Sequence, residues 1–416
     1  MIIFKQDSVV RKLFYSGVLN GIGTTLFNIV FVIYASHTPN AKLAITAVGV
    51  ISTVPYLLNF LLGYFADRIN HKYKGLIGVR ICQIVLYLIL SVFINIEENW
   101  LVFGLVLLIN VLSDMLGTFS SYMQLPILNK HVRSEDLAKV RGTQSGISQT
   151  LDLVGGPVGA FILTLIHFNF AVFALINAFS FFLSLIVLRN IKITELERKE
   201  KEKSESVYTF SKKNAKDIKE NFEYIIKIKQ LKHFLIIFTL FNLIGALQTT
   251  LLSITILNNT SLIIFNFGFT IATIETVEIL GMIIGSVMPL KIFYSMTIEH
   301  NMIFEMLMFF LVSLTLVSQA NIYFLLLIIF LSGYFAGISN PKIDAFIIQH
   351  LPEDKIGGGM GAFYTVVTLG LPVGSACAGI ISTSTTTING WFCLLLLTIV
   401  SLVYLISLSM KYTSNV

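Results

Sequence analysis

Apolar residues gather into twelve runs of roughly twenty residues, six on each side of a charged stretch from Ile191 to Lys232. A bilayer core is about 30 Å thick and takes roughly 20 helical residues to cross, so each run has the length of one membrane-spanning helix. The first six runs are Leu13–Ser36, Ile45–Ala66, Gly75–Ile94, Trp100–Ser121, Val140–His167 and Phe168–Leu188. The second six are His233–Leu257, Ile264–Leu290, Met302–Ser318, Ile322–Asn340, Gly359–Ile381 and Asn389–Met410. The pattern predicts an all-α polytopic membrane protein with a six-helix bundle at 1–190, a linker at 191–232 and a second bundle at 233–416. In the linker, Glu195 to Glu205 is charged enough to stay solvated. Ile218, Phe222, Ile225 and Ile226 recur at helical spacing over Asp217–Ile228, which predicts an amphipathic helix lying on the membrane surface.

Composition agrees. The chain is 55% hydrophobic and 12% charged, against roughly 25% charged in soluble proteins, and its mean hydropathy is +0.81. Charge placement sets the topology. With the N-terminus cytoplasmic and every run crossing once, all 29 Lys and Arg except Lys42 fall on the inner side, as the positive-inside rule requires. Both ends are then cytoplasmic, and the pI of 9.0 reports topology, not nucleic-acid binding. Met1–Lys12 is polar and basic and reads as the lead-in to an uncleaved anchor.

Cys82, Cys377 and Cys393 sit inside apolar runs at spacings that fit no metal site, so no metal or cofactor is expected. Nucleotide-binding loops and hydrolytic motifs are missing from the sequence. An enzyme is not expected, and uphill transport would draw on an ion gradient.

The halves repeat. Pro157 and Pro372 stand 215 residues apart, as do Pro126 and Pro341, which are expected to end the helices before them. Gly156-Pro157-Val158-Gly159 corresponds to Leu371-Pro372-Val373-Gly374, and Glu135-Asp136 to Glu353-Asp354 with a slip of three. Two halves in one orientation form the pattern of a two-bundle transporter.

Between the second and third runs lies Gly63-Tyr64-Phe65-Ala66-Asp67-Arg68-Ile69-Asn70-His71-Lys72. It resembles the signature loop of the major facilitator superfamily, Gly-x-x-Ala/Ser-Asp-Arg-x-Gly-Arg-Lys/Arg, with Asn70 and His71 as departures. The resemblance implies a conformational latch of Gly63, Asp67 and Arg68 against the eleventh helix, which opens with a glycine run that includes Gly359. Gly155, Gly156, Pro157 and Gly159 partly match the antiporter motif of the drug-exporting branch. With Pro372 and Gly374 they form the expected helix-packing motif.

Over nearly the whole chain the arrangement is similar to the macrolide-efflux (Mef-type) group of that superfamily. The features are Gly117-Thr118-Phe119, Leu125-Pro126 with its basic-acidic loop, the Glu220-to-Lys232 approach and both Pro-Val-Gly segments. The resemblance implies proton-coupled efflux of an amphipathic small molecule. It departs at Asp114, near where many drug antiporters carry an intramembrane Arg.

Acids inside a membrane cost roughly 2.5–3.5 kcal/mol each on insertion scales, so each invites a role. Asp152, Glu275 and Glu278 are the candidates for carrying the proton, with Asp114 the alternative. Asp152 has no basic residue obviously at its depth. Glu275 and Glu278 share a helical face and suit a shared proton or a cationic solute. Arg80 or Arg141 could pair with Asp114, and Glu305 reads as structural. Asn20, Asn28, Gln144, Gln149, Asn242 and Gln248 are the candidates for lining a substrate cavity.

The expectation is therefore a monomeric, multi-pass transporter in a bacterial cell membrane, exchanging protons for an amphipathic, cationic small molecule across the lipid bilayer. The alternative is an importer or flippase of a metabolite, lipid, peptide or siderophore, since the fold does not set direction. A non-transporting receptor is the third class.

Overall fold

The computed structural model describes residues 7–94, 100–132, 134–189, 191, 228–319, 321–350 and 363–413. Among these the regular structure is helical and no strand occurs. The helices are α1 (Ser8–Ser36), α2 (Ala41–Ile51), α3 (Val54–Leu57), α4 (Asn59–Arg68), α5 (Lys72–Phe93), α6 (Trp100–His131), α7 (Ser134–Leu165) and α8 (Phe170–Arg189). After the linker follow α9 (Lys229–Asn258), α10 (Phe267–Val287), α11 (Lys291–Tyr294), α12 (Ile298–Val317), α13 (Ile322–His350), α14 (Gly370–Ser384) and α15 (Thr387–Thr413). Eleven segments are long and apolar enough to cross a membrane, and Ala41–Leu57 adds a shorter apolar one. The protein is a polytopic membrane protein. Most of the linker, including Asp217 to Lys227 of the expected amphipathic helix, lies outside the described residues.

The second run departs from a single span. It breaks at Ser52-Thr53 and again at Leu58, giving α2, α3 and α4. Pro55 supplies the reason: it has no N–H to offer Ile51, and its ring crowds the preceding turn. Pro126 and Pro341 do not end their helices; both lie inside, in α6 and α13. A proline removes one ladder bond, and packing along the rest of a long helix carries it onward. The fifth and sixth runs are joined by a tight turn in which His167 (φ 52°) and Phe168 (φ 56°) take left-handed conformations.

The chain divides into two units, 1–39 with 54–210, and 40–53 with 211–416. The division in the first half passes through the break before Pro55. In the first unit α1 packs on α7 and α8, and α5 on α6 and α8. Its core includes Phe27, Tyr87, Phe173 and Phe181, with the Phe27 and Tyr87 rings edge-on at 4.8 Å. In the second unit α10 crosses α13, α9 lies against α14, and α12 packs on α13 and α15. There α2 rests on α14, where a Cβ at Gly49 would sit 3.0 Å from both Ser375 Oγ and Thr250 Oγ1.

Candidate functional site

In the first unit, α1, α5, α6 and α7 enclose a cleft of about 620 Å³. Small residues let α1 and α7 approach. A Cβ at Gly155 would meet the Thr25 side chain at 2.7 Å, and one at Gly159 would meet the Leu26 carbonyl oxygen at 2.7 Å. Asn20 of α1, Gln124 and Ser121 of α6, and Gln144 and Ser148 of α7 supply polar walls. Phe14, Val18, Leu128, Ile147 and Leu151 supply apolar ones. The Asn20 Oδ1 is buried with no hydrogen-bond partner.

Arg80 of α5 also lines this cleft and is 1% exposed. Its Nη1 donates to Gln83 Oε1 at 2.7 Å, its Nε to Ser184 Oγ at 3.0 Å and its Nη2 to Ser120 Oγ at 3.1 Å. These partners are held in turn. Ser184 Oγ donates to the Ser16 carbonyl at 2.9 Å and lies 2.7 Å from Ser16 Oγ. Gln83 Nε2 donates to the Ser113 carbonyl at 3.2 Å, and Gln124 Nε2 to Ser120 Oγ at 3.4 Å. Every partner is neutral, and no carboxylate pairs with Arg80 among the described residues. The expected Arg80–Asp114 pair therefore does not form. Three hydroxyl and amide groups, Gln83 of α5, Ser120 of α6 and Ser184 of α8, converge on the guanidinium and hold it in place without neutralising its charge.

Asp114 is half-buried and accepts from Asn110 Nδ2 at 3.4 Å. Asp152, one residue beyond the cleft wall at Leu151, is exposed. Tyr56 of α3 lies within electrostatic reach of both. Among the cavity candidates, Asn20 and Gln144 line the cleft, while Asn28 and Gln149 are exposed and outside its walls. Arg141 is in α7, but its side chain is outside the described residues.

In the second unit, Asn242 Nδ2 donates to the Val367 carbonyl at 3.2 Å, and Gln248 is buried with Oε1 unpartnered. Glu275 is half-buried and Glu278 exposed, one turn apart on α10. Each lies within electrostatic reach of the other, and half-buried Glu305 of α12 lies within reach of Glu278. No cation pairs with these three among the described residues.

Beside them is a feature that the sequence reading missed. A Cβ at Gly281 would strike the Phe330 carbonyl, and one at Gly285 the Tyr334 carbonyl. From the other side, Gly333 faces the Glu278 carbonyl and Gly337 the Met282 carbonyl. Two small-x-x-x-small stripes, one on each helix, let α10 and α13 cross backbone to backbone. The four-residue glycine spacing on both runs was the available signal.

For the expected latch, the structure places Gly63, Asp67 and Arg68 on α4, but the side chains of Asp67 and Arg68 and the whole of Gly359 are outside the described residues. Lys72, the last charge of that loop, donates from Nζ to the Ala66 carbonyl at 2.6 Å and so caps the end of α4. In the second half Lys342 does similar work, donating to the carbonyls of Tyr294 and Met296 at 2.8 Å each.

A family model described as Major Facilitator Superfamily matches residues 13–298. No curated protein matches the chain. Among solved structures, the chain is similar to a POT family transporter in complex with 5-aminolevulinic acid, at a TM-score of 0.70 and 12% identity, with 95% of each chain covered. It is also similar to an auto-inhibited POT family peptide transporter, at 0.70 and 10%, with 98% of this chain and 97% of that one covered. At these identities the likeness is one of fold.

Proposed function

The chain belongs to the major facilitator superfamily, and on that premise we propose that it is a proton-coupled secondary transporter of an amphipathic small molecule, working as an exporter. The observation that carries the coupling is the set of acids on spanning segments. Asp114, Asp152, Glu275, Glu278 and Glu305 have no Lys, Arg or His partner among the described residues. Carboxyls kept in a membrane without a counter-charge are suited to bind and release protons. Asp152 is the leading carrier: it is exposed, lies next to the cleft wall, and sits one turn before the Gly156-Pro157 segment. Export is supported by the likeness to the macrolide-efflux group and by the Gly155–Gly159 motif. The setting is the cytoplasmic membrane of a bacterium, with the protein acting as a monomer.

Expression in a pump-deficient bacterial host tests this. Accumulation of a macrolide or another amphipathic drug should fall, and an uncoupler should restore it. Export that survives the uncoupler would remove the proton from the scheme. A second reading, import of a peptide-like solute, is favoured by the fold likeness to POT family peptide transporters. It predicts the opposite sign: dipeptide accumulation in proteoliposomes under an inward proton gradient.

A further inference from the structure

We infer that the cleft of the first unit takes the carboxylate of an amphipathic organic anion, with Arg80 as its counter-charge. The inference rests on the transport reading only in treating the cleft as part of the solute path. It narrows the solute class away from the cations that the acid-rich sequence suggests.

Charge accounting leads there. A guanidinium has five N–H donors. Arg80 uses three, on Gln83, Ser184 and Ser120, so one N–H remains on each terminal nitrogen. Ser184 gives its own hydrogen to the Ser16 carbonyl and Ser120 accepts a second bond from Gln124, so both hydroxyls act as acceptors towards the cation. The network holds the guanidinium in place and leaves its unit charge whole. Burying a charge without a counter-ion is among the most costly arrangements available to a fold. Such a group is retained where a counter-charge arrives from elsewhere.

The cleft fits such a visitor. Its volume of about 620 Å³ lies in the range of small-molecule sites. A carboxylate matches the paired donors of a guanidinium better than it matches a point charge. Phe14, Val18, Leu128, Ile147 and Leu151 offer an apolar wall for the rest of the solute, and the unpartnered Asn20 Oδ1 offers an acceptor for a donor on it. A cation here would face Arg80 with no acid among the lining residues.

Equilibrium binding to the purified full-length chain in detergent tests the inference with three probes of one skeleton: 4-phenylbutyrate, 4-phenylbutanamide and 4-phenylbutylammonium. The anion should bind at least roughly tenfold tighter than the other two. Arg80→Gln should reduce that preference to within about twofold, and Arg80→Lys should keep part of it. Should the Arg80 variants fail to fold, Ser148→Trp fills the cleft from a residue outside the Arg80 network and should weaken anion binding by at least about tenfold. Equal binding of the three probes, no binding of 4-phenylbutyrate, or undiminished binding by Ser148→Trp would each overturn the inference. Binding in detergent involves no gradient. A failure of proton coupling would appear as gradient-insensitive flux and leave this result untouched.

Discussion

The two copies of the Gly-Pro segment share their packing and differ in the chemistry around them. Adding 215 to Gly155 and Gly159 gives Gly370 and Gly374. In the first unit these glycines admit Thr25 and the Leu26 carbonyl of α1; in the second they admit the Thr239 and Leu243 carbonyls of α9. Each half thus lays its fifth spanning segment on its first at the same register. The ionisable groups do not follow the repeat. The first unit buries a cation among neutral acceptors, and the second gathers three acids on α10 and α12. A repeat maintained by backbone approach leaves side chains elsewhere free to diverge, so shared packing does not imply a shared site.

A second contrast is sharper. The second spanning segment of the first half is broken at Ser52-Thr53, whereas α10, its counterpart, is continuous and locked to α13 by four glycines. Gly63 of α4 has room in its own unit, since a Cβ there would find the Tyr122 ring at 3.9 Å. The largest expected effect tests this difference. Gly337→Ala drives a methyl into the Met282 backbone and should cost about 3 kcal/mol, the upper end of overpacking. Gly63→Ala should leave stability unchanged or raise it, because alanine is the better helix former. Thermal unfolding of the two variants in one detergent reads the gap. Equal loss in both would mean that the glycine crossing of the second unit is not the tighter one.

The spans were legible because a 30 Å slab demands a length that hydropathy reports. The break was not, since Pro55 sits inside an apolar run, and prolines in membrane helices are often carried through, as Pro126 and Pro341 are. Gly155, Gly159 and Gly374 were found through a motif, but Gly281, Gly285, Gly333 and Gly337 passed as ordinary membrane glycines. Only the pairing of two stripes across a crossing distinguishes them. Comparable depth in the sequence makes Arg80 or Arg141 a candidate partner for Asp114. Nothing in sequence shows that Gln83, Ser120 and Ser184 from three helices converge on Arg80 instead. Of the polar residues expected to line a substrate cavity, Asn20 and Gln144 lie in the cleft wall, whereas Asn28 and Gln149 fit the same rule and lie outside it.

Next in size are the acids, which ask whether the two units divide the labour. Asp152→Asn should abolish proton-driven accumulation while leaving downhill exchange, because exchange requires the loaded carrier to move but no proton turnover. Glu278→Gln should weaken proton-driven transport by roughly tenfold, about 1.4 kcal/mol, through the charge it shares with Glu275 and Glu305. Flux assays in proteoliposomes with and without a pH gradient separate the two. If Asp152→Asn still concentrates solute, the carrier role passes to the acids of the second unit. Asp67→Asn should slow transport while sparing binding, as the latch reading of the signature loop requires; equal loss of both would place Asp67 in the solute site.

The smallest effect concerns where the two halves begin. The first helix of the second half, α9, has Ile228 at its N-cap and no side-chain cap there. The first helix of the chain is tied down at its start: Asp7 Oδ1 accepts from Val9 N at 2.7 Å and Val10 N at 3.1 Å, and Oδ2 lies 2.9 Å from His131 Nδ1 at the end of α6. Burial pushes the Asp7 carboxyl up, but the His131 contact and the two amides outweigh it, and the group ends below its ordinary 3.8. A carboxyl with a lowered folded pKa adds stability that is fully present above its unfolded value and is lost as pH falls through the folded one. Asp7→Asn keeps the cap, because asparagine caps as well as aspartate, and removes only the charge. The variant should therefore melt slightly below wild type at neutral pH, and the gap should close as pH drops from about 3.8 through the lowered value. Melting curves of both proteins across that window measure it. The absence of a gap at every pH would assign the contribution of Asp7 to its amide bonds alone, and the charge tie between α1 and α6 would no longer distinguish the start of the first half from that of the second.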